Sequence, residues 1–155
     1  MQLKRVVVTG LGALTPIGNN IQEYWDALIS GKSGAAPITY YDTEKHKTKF
    51  ACEVKNFNIE EFIDRKEARR MDKFAQYAIV AGEQAIADAG ILDSNVNKQR
   101  VGVIWGAGIG GLETFQEEVL SYAKGDGTPR FNPFFIPKMI ADIAPAHISM
   151  RNGFM

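Results

Sequence analysis

Twice in this sequence a short run of apolar residues breaks into a glycine-rich turn and then into helical periodicity. Val6-Val7-Val8 is the first run, and Gly10, Gly12, Pro16 and Gly18 punctuate the segment after it. Residues 101–105 are the second run, and the turn Gly106-Ala107-Gly108-Ile109-Gly110-Gly111 comes directly after. Unbroken apolar runs of this length suit strands buried on both faces. Such strands need helices above and below them. The pattern therefore predicts an α/β architecture with a mostly parallel sheet.

The segments between supply the helices. Ile21, Tyr24, Trp25, Leu28 and Ile29 recur at helical spacing, with Gly31 where a C-terminal glycine belongs. Asp64 and Glu67 have capping-box spacing and open one long helix reaching about Ala89, with Gly90 as its stop. Further helices are expected over 112–123 and 138–150. Phe50, Cys52 and Val54 alternate with Ala51 and Glu53, which suits a third short strand. Two strands and a weak third do not cover the faces and edges of a layered domain. Residues 1–155 thus read as part of one larger domain, with no internal boundary.

Composition removes several classes of function. Lys plus Arg and Asp plus Glu are both 18, so overall charge gives no reason to expect a nucleic-acid partner. No apolar stretch approaches the length of a membrane span, and the run after Arg5 is too short for a secretory signal. Cys52 is the single cysteine, which rules out an internal disulfide. A cytoplasmic protein with no membrane partner is the expectation.

The second glycine turn matches G-x-G-x-x-G, comes after an expected strand and opens a helix, as a dinucleotide site requires. The first turn has Thr15 in place of the third glycine. The acidic residue that would hold a ribose is missing from a suitable strand end, because Asp126 lies in a polar turn. The plainer reading is that these glycines let a strand end approach a helix closely.

The cations are concentrated in one place. On a single helix of about 100° per residue, Arg65, Lys66, Arg69, Arg70 and Lys73 fall within roughly 140°. Ala68, Met71, Phe74, Ala75, Ala78, Ile79, Gly82, Ala85, Ile86 and Ala89 share the opposite side. Cations near a helix N-terminus oppose its dipole, so helix stability does not account for them. A negatively charged partner does.

No catalytic or metal-binding constellation is present. Cys52 is expected to be buried as a small apolar residue. His46 and His147 lack ligand partners at standard spacing. In Asn132-Pro133-Phe134-Phe135-Ile136-Pro137, three large apolar side chains stand between prolines. Three uses fit them equally: filling this chain's core, lining a ligand pocket, or crossing into a second subunit.

Taken together, four segments resemble the type II 3-oxoacyl-[acyl-carrier-protein] synthases, the elongating condensing enzymes of fatty-acid synthesis. They are 5–18, 65–72, 106–112 and 132–137. The resemblance covers the whole chain and implies the N-terminal half, incomplete, of a thiolase-like fold that works as a homodimer. It implies a decarboxylating condensation through an acyl-cysteine, with two histidines stabilising an enolate and no cofactor. It assigns Lys66, Arg69 and Arg70 to docking of an acidic acyl carrier protein, with Arg130 extending the patch. Gly108, Ile109, Phe135 and Ile136 are assigned to the pocket for the fatty acyl chain. The family's nucleophile and histidines have no counterpart here, so no catalytic residue is assigned, and a carrier-binding module without catalysis is the alternative. Pro145 departs from the family pattern and is expected to bend the last helix.

Overall fold

The computed structural model describes residues 3–155. The expected long helix is present but broken. Helix α2 spans Arg65–Ala68 and helix α3 spans Lys73–Asp88. The break is caused by Asp72, whose carboxylate accepts from the Phe74 backbone N–H and starts the second helix afresh. Before it, the Arg70 and Met71 N–H groups bond three residues back instead of four, which closes the first helix. Asp64 does cap α2, through the Lys66 N–H at 2.7 Å. Glu67 does not reach back to complete the box. It pairs instead with Arg151.

Helix α3 is the centre of the molecule. Ala75, Ala78, Ile79 and Val80 have no exposed surface. The ten residues of the expected apolar face are all buried or half-buried, and no residue from Met71 to Ile86 is exposed, so the far side of α3 is covered as well. One side of α3 packs on helix α6, Ile143–Asn152, with Ile148 set against Gly82. The other side takes the first glycine turn. A Cβ on Gly10 would stand 2.4 Å from the Ala85 carbonyl oxygen, and one on Gly12 would stand 2.0 Å from that of Ala81. Gly12 thus needs to lack a side chain for close approach, as the plainer reading of the glycines expected. Three polar contacts fix this docking: the Leu11 N–H donates to Asp88 Oδ2, the Ala13 N–H donates to Gln84 Oε1, and Gln84 Nε2 donates to the Asn19 carbonyl.

The expected parallel sheet is absent from the described residues. Their one ladder is antiparallel, between β1 (Ala36–Pro37) and β2 (Phe50–Ala51), with Ala36 opposite Ala51. Val6 and Ile104 are 89% and 98% exposed. Both apolar runs are irregular, because a strand exists only through hydrogen bonds to a neighbour and neither run has one here. Cys52 is exposed, contrary to expectation. Phe50 and Cys52 share the open face of the β2 segment, and Ala51 points inward.

Helix α1 spans Ile21–Ile29 and ends as expected, with Gly31 at a φ of 66°. Its apolar residues Trp25, Leu28 and Ile29 are exposed, and Ala27 is its one buried residue. Helix α4 spans Leu112–Lys124. The expected last helix is two: α5, Phe135–Met139, and α6. Pro145 accounts for the split. In a continuous helix its ring would strike the Ala141 carbonyl, whereas in the first turn of α6 its missing N–H costs nothing. Pro145 therefore sets where the helix starts and does not bend it. Pro137 occupies the same position in α5, so a short helix forms where a loop was expected.

Candidate functional site

Breaking the long helix divides its five cations. Arg65 turns to Glu60, with Nε and Oε1 3.3 Å apart. Lys73 turns to Glu113, at 3.1 Å, and its ammonium lies 4.2 Å from the centre of the Tyr40 ring. Both are neutralised within the chain. Lys66, Arg69 and Arg70 are not: among the described residues no ion pair engages them. They line a groove of about 710 Å³ together with Arg130, which arrives from the turn after α4. All four residues expected to dock an anionic partner thus share one surface, although Arg130 is 60 residues from Arg70 in the chain.

The opposing dipole expected of a single long helix is not what these cations meet. Helix α2 is four residues long, and Arg69 and Arg70 come after it. The charge concentration itself remains. Two carboxylates, Glu118 and Asp126, lie near it and offset part of that charge. Glu118 accepts the Asn132 backbone N–H at 3.0 Å. The exposed Asp126 carboxyl is held below its ordinary value, first by the Thr128 backbone N–H and further by the Arg130 guanidinium at 3.2 Å. Arg130 is therefore partly neutralised, and the net positive character of the groove rests on Lys66, Arg69 and Arg70.

The groove also has an apolar part, made by Phe131, Pro133 and Phe134 from the segment leading into α5. The Arg70 guanidinium carbon lies 4.9 Å from the centre of the Phe134 ring. Phe131 is a groove residue that the sequence did not single out, and Phe134 entered only as part of the apolar run between prolines. Their place between prolines was the available signal, and a charge pattern carries no information about the ring beside it.

The residues assigned to an acyl pocket are less closely gathered. Phe135 stacks between Phe131 and Phe115, with ring centres 5.7 and 6.3 Å away. Ile109 and Ile136 are 71% and 55% exposed. Gly108 borders open space. Their two segments meet through backbone, since the Gly111 N–H donates to the Met139 carbonyl at 2.9 Å.

The second glycine turn has a geometry that speaks against a dinucleotide. A Cβ on Gly111 would stand 2.5 Å from the Lys138 carbonyl oxygen, so the turn is pressed against α5. The N-terminus of α4, where a pyrophosphate would sit, already holds an anion. Asp72 Oδ2 accepts both the Thr114 N–H, at 3.1 Å, and the Thr114 hydroxyl, at 2.6 Å. One buried carboxylate thereby serves the first turns of α3 and α4.

The histidines are outside this site. His46 lies beside the Tyr41 ring, 5.3 Å between centres. His147 is half-buried in α6, and burial holds its imidazole below the ordinary value against an opposing pull from Glu67. No helix among the described residues is long and apolar enough to cross a membrane.

Residues 3–155 match the model of the beta-ketoacyl synthase N-terminal domain. The chain is 46% identical over 153 residues to 3-oxoacyl-[acyl-carrier-protein] synthase 2 of Synechocystis sp. (strain ATCC 27184 / PCC 6803 / Kazusa), covering 99% of this chain and 36% of that protein. It is 50% identical to the protein of that name from Staphylococcus aureus (strain COL), covering 98% of this chain and 36% of the relative. Among solved structures, a beta-ketoacyl synthase from Burkholderia phymatum STM815 superposes with a TM-score of 0.78 at 26% identity, over 98% of this chain and 38% of that one. The chain thus spans 36% of the length of these curated relatives, and its fold is the part of the thiolase-like architecture that they share with it. With the family model matched from residue 3 to residue 155, the chain belongs to the beta-ketoacyl synthase family.

Proposed function

We propose that the protein bearing these residues elongates fatty acyl chains carried on an acyl carrier protein, and that this chain supplies the surface on which the carrier docks. The observation that carries the proposal is the groove of Lys66, Arg69, Arg70 and Arg130, whose first three cations have no ion-pair partner among the described residues. An acidic carrier protein completes those charges, and long-range attraction speeds its arrival.

In the reaction, an acyl group passes from the carrier's thioester to a cysteine thiolate outside residues 1–155. Malonyl thioester then loses its carboxylate as CO₂. The electron pair left on its α-carbon attacks the acyl carbonyl, and the cysteine thiolate departs. Gly108, Ile109, Phe135 and Ile136 contribute one apolar wall for the acyl chain, where each buried methylene contributes about 0.8 kcal/mol. A second copy of the protein completes that wall, which accounts for the exposure of Ile109 and Ile136 here. The relatives' names support fatty-acid elongation as the setting.

Replacing Arg69 and Arg70 by Glu tests the docking surface. Affinity for the acyl carrier protein at low salt is expected to fall by more than tenfold, with the circular dichroism spectrum unchanged. Equal affinity would remove the docking role. The catalytic half is tested by product: the protein at its natural length forms 3-oxoacyl-carrier protein and CO₂, and residues 1–155 alone do not. A carrier-binding module without catalysis fits the same groove, because all four cations come from this chain. An intact mass of 17.1 kDa from the native source would favour that module.

A further inference from the structure

We infer that Phe134 is a positioning residue of the cationic groove: its ring holds the Arg70 guanidinium edge-on to the groove, so that Arg70 grips an incoming carboxylate with both arms. The inference rests on the proposed docking of an acidic partner and adds which cation reads the carboxylate and what aims it.

Three observations and one property of the guanidinium group carry it. Arg70 is the groove cation that lies over an aromatic face, with its central carbon 4.9 Å from the Phe134 ring centre. Stacking uses the flat face of a guanidinium and leaves the N–H groups at its edge free, and those groups form the fork that matches a carboxylate. Among the described residues no ion pair engages Arg70, so the fork is unoccupied by this chain. The backbone that carries the ring is itself fixed. The Phe134 N–H donates to Asn132 Oδ1 at 2.8 Å, the Asn132 N–H donates to Glu118 at 3.0 Å, and the Phe134 carbonyl accepts the Lys138 N–H.

Lys66 and Arg69 contribute charge with no ring beneath them among the described residues. Arg70 loses less freedom on binding because the ring has already limited its orientations. Linkage makes the effect mutual: a carboxylate held by Arg70 strengthens its hold on Phe134, and with it the start of α5.

The test measures affinity of the protein at its natural length for an acyl carrier protein at low salt, in four variants. Phe134→Leu keeps apolar volume and removes the π face; it is expected to weaken binding about two- to fivefold, the range of an exposed cation–π contact. Phe134→Tyr keeps the face and is expected to bind as the parent does. Arg70→Lys keeps the charge, loses the fork, and is expected to weaken binding at least as much as Phe134→Leu. The double variant Arg70→Lys/Phe134→Leu is expected to be no weaker than Arg70→Lys alone. Unchanged affinity in Phe134→Leu, loss of affinity in Phe134→Tyr, or additive losses in the double variant would each overturn the inference. If Phe134→Leu disturbs the fold, Arg70→Lys against Arg70→Gln decides: equal weakening supports a role for the fork, and parent-like affinity in Arg70→Lys refutes it. Failure of the docking proposal looks different, because the Arg69→Glu/Arg70→Glu variant would then bind normally.

Discussion

Replacing Asp72 by Ala removes one carboxylate from the start of two helices. The Thr114 N–H and hydroxyl, at 3.1 and 2.6 Å, lose a charged acceptor inside the protein, since Thr114 is 4% exposed. Hydrogen bonds to a charged group contribute about 1.5–3 kcal/mol each, and buried donors left unpaired are at the costly end. The two share one acceptor and are not additive, so about 3 kcal/mol is assigned to the pair. The cap on the Phe74 N–H is long at 3.4 Å and adds about 0.5 kcal/mol, the low end of cap values. At 1.4 kcal/mol per decade, roughly 3.5 kcal/mol corresponds to two to three decades in local opening. Hydrogen exchange followed by mass spectrometry reads this directly, in peptides covering the first turns of α3 and α4. Asp72→Asn keeps an acceptor oxygen without the charge and is expected to lose about one decade, by the same relation. Exchange in both peptides unchanged by Asp72→Ala would refute the double cap. A loss confined to α3 would refute its half in α4.

Two further outcomes come from the core. His147 has a folded pKa below its ordinary 6.5 because burial disfavours the imidazolium. The unfolded chain therefore binds a proton first as pH falls, and stability is expected to drop as pH passes from 6.5 through the lower folded value. His147→Gln should flatten a urea-midpoint profile across that window, and an identical slope in both proteins would contradict the assignment. A Cβ on Gly82 would stand 2.9 Å from Ile148 Cδ1, a flexible side-chain end. Against this contact stands the roughly 1 kcal/mol by which Ala is favoured over Gly inside a helix; Gly82→Ala is expected to cost about 0–2 kcal/mol net, and adding Ile148→Val should relieve the overpacking part. Purely additive urea midpoints would show that the two residues do not press on each other.

Helix periodicity was legible wherever a helix is decided locally. The end of α1 at Gly31, the stop at Gly90 and the whole of α4 are dictated by spacing and terminal residues. The break at Asp72 was also written in the chain, as a capping residue ahead of an apolar run. The apolar face running from Ala68 to Ala89 is continuous across that cap and hides it. The strands were not legible, for a different reason. Val6-Val7-Val8 has strand character, but strand pairing is a relation between segments, and no partner for it lies among the described residues. The groove stands between these cases. The cations were visible as a pattern and their shared surface with Arg130 was not, since that depends on α4 and the turn after it folding back.

Helix α3 also sets the order in which the molecule can be built. Its own hydrogen bonds are local and form within microseconds in an isolated helix. Its burial is not local. The Leu11 N–H reaches Asp88 across 77 residues and the Ala13 N–H reaches Gln84 across 71, while on the other side Asn152 reaches Glu83 across 69. Closing loops of that size must precede the reward for closing them, which raises contact order and slows folding. A nascent α3 therefore waits, with apolar flanks uncovered, until chain from both directions arrives. The interval in which this protein is vulnerable to chaperone capture or misassociation is the interval before its most deeply buried helix is enclosed.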